Sequence, residues 1–301
     1  MAEENALSII QRGQVDQRRS GQSIRVSGID LGTTNSTISE AIWEVGSALL
    51  PKVQCLEVLQ PTMEGEYTHV LLPSAVAIHN GKIFIGEGAK RLRSRASEFR
   101  LTRNKDLYYE CKNDIGNRKT YHRGPAGFQS AAEIGGKVIG FLYQAAMEAN
   151  ERKPDRVVIT VPASFQAAQR MDTLRAAELA GMKLADGDLL DEPTAAFLGY
   201  LFTHVQEMAA QFARQRTLVV FDFGGGTCDV AVFRLHRPAG GSGQFNVEHL
   251  AVSRYYRLGG GDIDAAIVHE VLIPQLCQQN DINPIDQQLV IQLSNNWLYN
   301  A

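Results

Sequence analysis

The sequence predicts a mixed α/β protein built from two related halves. Two segments share one pattern: an apolar strand ends in Asp, one apolar residue follows, and a turn of Gly and Thr leads into a second strand. One copy begins at Val26 and the other at Leu218. Between the copies, strand-type patterns give way to alternating strands and helices, which is typical of α/β proteins. We expect a polar, disordered leader over residues 1–24, a first lobe over 25–214 and a partial second lobe over 215–301.

Strand-type sequence dominates the first half up to Gly86. The clearest signal is a hairpin over residues 75–86, where Asn80-Gly81 is a residue pair that favours a tight turn. Strands are also predicted over residues 36–43 and 53–59. The region continues with a short basic helix, an irregular charged segment and a long amphipathic helix, over residues 87–96, 97–127 and 128–150.

Strands and helices alternate from Arg156 onward. A buried strand over Arg156–Val161 meets a turn at Pro162, and the helix after it ends at Gly181, a residue that suits a helix C-terminus. Pro193 lies in the first turn of another helix, where carboxylates at the positive end are favourable. The remaining predictions are a helix over 166–181, a strand over 182–190, a helix from 191, a polar helical stretch to 216, a turn at 238–243, a strand over 244–252, a helix over 263–279 and a last helix from Asn283.

Composition argues against several classes of protein. The chain has 301 residues, with 30 Lys and Arg against 33 Asp and Glu, which gives a net charge of −3. This balance argues against broad nucleic-acid binding, which needs a basic surface. No apolar run reaches the roughly 18 residues of a membrane span, and residues 1–21 lack the apolar centre of a signal peptide. The four scattered cysteines form neither a disulfide framework nor a zinc motif. We therefore expect a cytoplasmic protein with neither a membrane nor a nucleic-acid partner.

The two repeated segments carry residue types that bind phosphate and metal. Glycines let backbone N–H groups approach an anion, and threonine hydroxyls add hydrogen-bond donors. Asp30 and Asp222 come where each first strand ends, so they suit a metal ion better than the phosphate that they would repel. Either segment alone is also typical of a plain β-hairpin. The two together predict a cleft that holds a nucleotide's phosphates and one Mg²⁺ between two lobes.

Four motifs that occur in order carry a specific resemblance. They are Ile29–Ser36, Ile159–Phe165, Asp191–Ala196 and Phe221–Val230. With them, residues 25 to about 290 resemble the N-terminal ATPase domain of the seventy-kilodalton heat-shock (DnaK-type) chaperones. The resemblance implies an actin-like (ribonuclease H-like) fold in which two lobes bind ATP or ADP with Mg²⁺, and a second lobe that is incomplete. The function that it implies is an ATP-hydrolysing nucleotide switch.

The resemblance also implies catalytic roles. Lys112, in the segment Cys111–Gly116, takes the place of the family's phosphate-neutralising lysine. Lys105 is the alternative position, and a solvated loop lysine is the structural alternative. Glu192 would order water at the floor of the cleft, or simply stabilise the helix that it opens. Thr227 would hydrogen-bond phosphate oxygens.

Metal and nucleotide contacts follow from the same resemblance. Asp30 and Asp222 complete the catalytic set, and together with Glu192 they would hold Mg²⁺ mainly through water. The nucleotide-binding residues come from three glycine-rich turns: Gly32, Thr33, Thr34, Asn35, Gly224, Gly225, Gly226, Thr227, Gly259, Gly260, Gly261 and Asp262.

Four further residues each have two interpretations. By resemblance, Pro162 and Arg170 belong to the route that links the nucleotide state to a substrate domain. Pro162 also suits the end of a strand, and Arg170 an ordinary helix surface. Asp229 is predicted either to support the site from behind or to lie on the surface of a strand. Cys228 is predicted to pack in the core, with redox sensitivity as the alternative.

Partners and missing parts complete what the resemblance implies. An ATPase domain of this family has a helix that grips the adenine base, and its chain continues beyond that helix. The last predicted helix of this sequence would be the start of it. We therefore expect residues 1–301 to bind ATP weakly and to hydrolyse it slowly or not at all. A J-domain co-chaperone, a nucleotide-exchange factor and client proteins would act through C-terminal regions. Two alternatives stay open: a non-hydrolysing nucleotide sensor or scaffold of this fold, and another actin-like ATPase, such as a filament protein or a sugar kinase.

Overall fold

The structure is a computed structural model that describes residues 22–45, 47, 51–118, 120–150, 152–184, 187–204, 215–236, 246–254, 256, 258–283 and 286. Four predicted segments lie largely or wholly outside these ranges: the leader, the polar helical stretch before residue 216, the turn at 238–243 and the last helix. In the described part of the chain, fourteen strands form four sheets. None of the described helices is both long and apolar enough to cross a membrane.

The described part of the chain contains fourteen strands. They are β1 Ser23–Asp30, β2 Asn35–Glu44, β3 Lys52–Cys55, β4 Val58–Pro61, β5 Glu66–His69, β6 Leu72–Pro73, β7 Ala75–His79, β8 Lys82–Ile85, β9 Leu107–Tyr109, β10 Arg156–Val161, β11 Leu189–Asp191, β12 Arg216–Phe223, β13 Cys228–His236 and β14 Asn246–Val252. The α-helices are α1 Glu87–Ser94, α2 Ala96–Phe99, α3 Ala131–Asn150, α4 Ala167–Leu179, α5 Glu192–Thr203, α6 Gly260–Ile267 and α7 Ile273–Gln279. A 3₁₀ turn spans Cys111–Asp114, and a π-helical turn, Val268–Leu272, joins α6 to α7.

The largest sheet fixes where chemistry can take place. Its strand order is β11-β10-β1-β2-β3, and β6 also pairs with β2. Strand β10 runs parallel to both β1 and β11. Because the carboxyl ends of parallel strands meet at one edge of a sheet, the segments after Asp30, Val161 and Asp191 lie side by side. Three of the four predicted motifs are thereby brought to one edge.

The largest hydrophobic cluster among the described residues lies between this sheet and the helices α3 and α4. Ile29 and Ile38 point into it from β1 and β2, Ile139 from α3 and Ile159 from β10, and all four are fully buried. Alternate burial along β1 matches the period of two expected for a strand with one core-facing side. Burying each such side chain stabilises the fold by about 1.5–3 kcal/mol.

The second half repeats the start of the first. Strands β12, β13 and β14 form an antiparallel meander, as β1, β2 and β3 do. One face of this meander packs Leu218 and Leu235 against Phe197 and Leu201 of α5. The other face leaves Val219 65% exposed. Among the described helices, α5 joins this meander to the first half through the contacts of Phe197 and Leu201.

Comparison with the sequence predictions shows agreement where the pattern was strongest. The hairpin over residues 75–86 is confirmed as β7 and β8, with Asn80 and Gly81 in the left-handed region at φ 50° and 72°. The predicted strand over 53–59 is wrong, because the chain forms the separate strands β3 and β4 in different sheets. The predicted strand over 182–190 is also wrong in length, since only Leu189–Asp191 pairs with β10.

The structure corrects two other predictions, the start of one helix and the content of one irregular segment. The helix predicted over 263–279 begins earlier, at Gly260, where Asp262 accepts the N–H of Gly259 at 2.8 Å and caps the first turn. The segment predicted as irregular over 97–127 contains β9, whose residues Leu107 and Tyr108 are buried. Charged flanking residues conceal this short strand in the sequence.

Candidate functional site

Both repeated hairpins open onto one cavity of about 1040 Å³. The cavity lies at the edge of the large sheet where β1 ends, and the turn between β12 and β13 forms the opposite side. Most of the predicted site residues line it, namely Asp30, Gly32, Thr33, Thr34, Asn35, Lys112, Glu192, Asp222, Gly224, Gly225 and Thr227. The fold thus brings together residues that are up to 197 positions apart in the chain (227 − 30 = 197).

The two glycine turns touch each other across this cavity. A Cβ atom built on Gly225 would lie 2.0 Å from Thr34 Oγ1, and one on Gly226 would lie 2.7 Å from Thr33 Cγ2. No real side chain tolerates such distances, so these glycines are needed for the close approach of the two turns. Gly32 is needed for a local reason, since a Cβ there would lie 2.0 Å from the carbonyl oxygen of Asn35.

The third glycine turn, Gly259–Gly261, takes a different place. It lies behind the second turn, where Gly260 N–H donates to Gly224 O and Gly261 N–H donates to Gly225 O, both at 2.9 Å. Asp262 is occupied as the cap of α6. In this arrangement the third turn supports the backbone of the second, and direct nucleotide contacts by Gly259, Gly260, Gly261 and Asp262 stay a prediction.

Lys112 forms the centre of the site. The 3₁₀ turn after β9 carries it into the cavity, where its Nζ lies 2.6 Å from Oε1 of Glu192 at the start of α5. The two side chains are 7% and 12% exposed. Lys105, the alternative position for this role, is a 54% exposed side chain beside Asp106. The geometry therefore favours Lys112.

The ionisable side chains of the site shift one another's pKa values. Burial opposes the charge of Lys112, but Glu192, Asp30 and Asp222 outweigh it and raise the pKa of the ammonium group. Burial raises the pKa of Glu192 to about 7, against the lowering effect of Lys112. Burial also raises the pKa of Asp222, with Asp30 and Asp229 adding to the rise. Three carboxyl groups thus compete for one cation, which is the environment of a functional site.

The hydroxyl groups of Thr160 and Ser164 hold two of the acidic side chains, and sequence reasoning missed both of these hydroxyl residues. Thr160 Oγ1 donates to Asp30 Oδ1 at 2.7 Å, and Ser164 Oγ donates to Asp229 Oδ1 at 2.5 Å. Asp229 is 2% exposed, so it is a buried supporting group and not a surface carboxylate. The one signal available in the sequence was that the segment from Thr160 to Ser164 lies within a recognised motif.

Asn113 is a third residue that sequence reasoning missed. It follows Lys112 in the 3₁₀ turn, and a Cβ built on Gly226 would lie 2.9 Å from its Oδ1 atom. That oxygen is buried and has no hydrogen-bond partner among the described residues. Asn113 therefore packs between the turns of the two halves.

The remaining candidates lie next to the site. Arg170 donates to Asp191 Oδ1 at 2.5 Å and to the carbonyl of Phe165 at 3.1 Å, which ties the start of α4 to the residue before Glu192. Pro162 is buried at the end of β10. Cys228 is only partly buried, so it is not the fully packed core residue that the sequence predicts.

The donor chemistry of the cavity suits Mg²⁺ held through water. Asp30, Asp222 and Glu192 supply carboxylate oxygens, which are the ligands that Mg²⁺ prefers. Within the described ranges, no three His, Cys, Asp or Glu side chains converge closely enough to bind a metal directly. Mg²⁺ usually keeps several of its waters and binds substrate phosphates. The residues present therefore fit a hydrated ion held jointly with phosphate.

Comparison with known proteins gives a consistent result. A family model described as Hsp70 protein matches residues 26–295. The chain is 33% identical over 243 residues to a chaperone protein DnaK from Mycoplasmopsis agalactiae, covering 81% of this chain and 34% of that protein. It is 31% identical over 266 residues to a DnaK from Metamycoplasma hominis, covering 88% and 38%. It is 32% identical over 282 residues to a chaperone protein HscA homolog from Methylobacillus flagellatus, covering 89% and 40%.

The chain therefore spans two fifths or less of the length of these relatives. The shared cavity and the four ordered motifs fall within the matched residues 26–295, and so do the paired meanders except for the first three residues of β1. The chain belongs to the Hsp70 protein family and has the α/β, actin-like fold of that family's ATPase domain.

Proposed function

We propose that this chain is the ATP-binding, ATP-hydrolysing switch module of a DnaK-type chaperone. Family membership supports a chaperone ATPase module in general terms. The finer proposal depends on one observation: a buried lysine is surrounded by three carboxyl groups from both halves, between two glycine-threonine turns. A site with this charge and backbone arrangement suits the polyphosphate of a nucleotide together with a cation.

Each side chain has a role that its position allows. Backbone N–H groups of the turns Gly32–Thr34 and Gly224–Thr227 would cradle the β- and γ-phosphates. Lys112 would neutralise charge on the γ-phosphate and orient the attacking water, since phosphoryl transfer depends on positioning and charge neutralisation. Thr227, only 7% exposed, would donate its hydroxyl to a phosphate oxygen. Glu192 would hold Lys112 in place.

Mg²⁺, when bound, supplies charge neutralisation at the phosphates. Asp30, Asp222 and Glu192 would hold it, largely through its waters. Thr160 fixes Asp30 by a hydrogen bond at 2.7 Å, so that carboxylate already has a set orientation. The Asp30 carboxylate therefore need not turn on binding, which limits the entropy cost of ordering it.

The division into two lobes and the partners belong to the same proposal. We assign residues 25–214 to a first lobe and 215–301 to part of a second lobe, with the cavity between them. A J-domain co-chaperone, a nucleotide-exchange factor and client proteins are the partners that this family relationship favours. A cytoplasmic location fits the proposal as well.

Phosphate release from Mg²⁺-ATP by the purified chain tests the proposed function. We expect slow release by the wild type, and a further loss in Lys112→Ala with ATP binding retained. Lys105→Ala examines the alternative alignment, and we expect release close to that of the wild type. ATP binding without any phosphate release would favour the non-hydrolysing sensor or scaffold. Sedimentation of filaments with ATP would favour another actin-like protein.

A further inference from the structure

The segment between β10 and α4 contacts the acidic groups of both halves. Thr160 donates its hydroxyl to Asp30 at the end of β1, and Ser164 donates its hydroxyl to Asp229 on β13. Asp229 lies directly opposite Asp222 across the β12–β13 pair. The five-residue segment from Thr160 to Ser164 therefore links Asp30 of the first hairpin to the pair of Asp222 and Asp229 in the second.

Strand pairing determines both contacts. Asp30 and Thr160 are register partners in the parallel pair of β1 and β10, so their side chains stand next to each other on one face of the sheet. Buried Pro162 ends β10 and turns the chain toward the second half. Ser164, two residues further on, then meets β13. The arrangement leaves little freedom for either hydroxyl.

These hydrogen bonds orient the carboxylates without using up their capacity to bind. An ionised carboxylate accepts at about four lone-pair positions. One is taken by Thr160 in Asp30 and one by Ser164 in Asp229, at 2.7 Å and 2.5 Å. Charge-assisted bonds of this length are among the stronger ones in proteins. In Asp30 the remaining positions are left for metal-bound water, whereas Asp229 supports the site from behind.

We propose that Thr160 and Ser164 are positioning residues that set the Mg²⁺ affinity of the nucleotide-loaded site. This inference rests on the proposed function. Thr160 holds Asp30 on the first half, and Ser164 holds Asp229 and, through the β12–β13 pair, the backbone that carries Asp222. Removing either hydroxyl lets a carboxylate rotate. Hydrogen-bond partners of groups that ligate a metal directly are worth about 10- to 100-fold in metal affinity, and we expect the lower end of that range where water lies between the carboxylate and the ion.

Binding of ADP to the 301-residue chain, titrated by calorimetry with saturating Mg²⁺ and again with EDTA, tests the inference. The ratio of the two affinities is the gain that Mg²⁺ gives. We expect Thr160→Val to lower this gain about tenfold while the affinity in EDTA stays within about twofold. Thr160→Ser keeps the hydroxyl and should restore the gain. Thr173→Val is the matched control, because Thr173 is buried and its hydroxyl donates to the carbonyl of Gln169 within α4, at 3.0 Å, away from the acidic groups of the site.

Ser164→Ala is the second, independent variant. Ser164 lies in the turn between β10 and α4, so loss of its hydroxyl leaves the strands intact. We expect the same fall in the Mg²⁺ gain and a recovery in Ser164→Thr, with thermal unfolding confirming that each variant is folded. A purely structural role would lower both ADP affinities together and lower the unfolding temperature.

Two results separate the inference from the proposed function. An unchanged Mg²⁺ gain in folded Thr160→Val and Ser164→Ala would overturn the positioning role while nucleotide binding by the wild type stands. Absence of ADP binding by the wild type in both solutions would overturn the proposed function, and this inference with it.

Discussion

Lys112 Nζ lies 2.6 Å from Glu192 Oε1, although 80 residues separate the two in the chain. The contact joins the 3₁₀ turn after β9 to the first residue of α5, so it depends on the correct packing of the whole first half. It also places a buried ammonium group next to the carboxylates of Asp30 and Asp222. A buried pair of this kind contributes little to stability in general, which favours a functional reason for it.

Thr227→Ala should slow ATP hydrolysis more than it weakens ATP binding. The Thr227 hydroxyl lies in the cavity, and a phosphate oxygen gains negative charge chiefly in the transition state. We expect a fall of about 10²-fold in the single-turnover rate, with the dissociation constant for ATP changed by a few fold. Thr227→Ser keeps the hydroxyl and should retain most of the rate. Equal losses in binding and rate would contradict a role specific to the transition state.

Gly225→Ala should disrupt the contact between the two turns. The added Cβ would lie 2.0 Å from Thr34 Oγ1, so the Thr34 side chain or one of the turns must move. We expect nucleotide affinity to fall by at least about tenfold, since a displacement near 1 Å is costly in a preorganised site. Thr34→Gly in the same chain removes the clash and should recover part of the affinity. Gly199→Ala is a suitable control, because no described atom outside the backbone of its own helix lies within 4 Å of a Cβ built there. Normal affinity in Gly225→Ala would mean that the turns are further apart in the bound protein.

Glu192 should make stability depend on pH. Its pKa is raised from 4.5 to about 7 by burial, so between these values the folded chain holds more protons than the unfolded chain. Stability therefore falls as the pH rises from about 5 to about 7. In Glu192→Gln this contribution is absent, and the unfolding temperature of the nucleotide-free protein should depend less on pH. Parallel pH curves for wild type and variant would contradict the raised pKa.

The buried pair of Arg25 and Glu40 should be needed for the stability of the first half. Both are nearly inaccessible, at 4% and 1%, and Asn150 also donates to Glu40, at 3.0 Å. Glu40→Ala leaves the Arg25 guanidinium buried without its carboxylate, which should cost about 3–5 kcal/mol. The double variant Arg25→Met, Glu40→Leu should cost less, because no lone charge remains. Urea unfolding measures both, and a single-variant cost below about 1 kcal/mol would contradict this account.

The sequence predicted the parts of the fold that depend on local signals. The hairpin at Asn80-Gly81 was predictable because the turn residues and the alternating strands agree. The short strand β11 was not, since the residues before Leu189 carry no clear period and only pairing with β10 defines it. The break between β3 and β4 likewise depends on which sheet each strand joins.

The same distinction holds for the site. Asp30, Asp222 and the glycine turns were identified from their repeated pattern, and Lys112 from family resemblance. Thr160 was missed because its partner Asp30 is 130 residues away, and only the register of two parallel strands brings them together. The supporting place of Gly259 behind the second turn depends on tertiary packing, which no local pattern reports.

Hydrogen exchange of the full chain, with and without ADP and Mg²⁺, tests the central claim most directly. The claim is that one nucleotide binds between the turns of both halves. We predict slower amide exchange at residues 31–36 and at residues 223–228 in the same sample, because both turns would donate N–H groups to the phosphates. Binding that protects only one of the two turns, or protects neither, would contradict the claim.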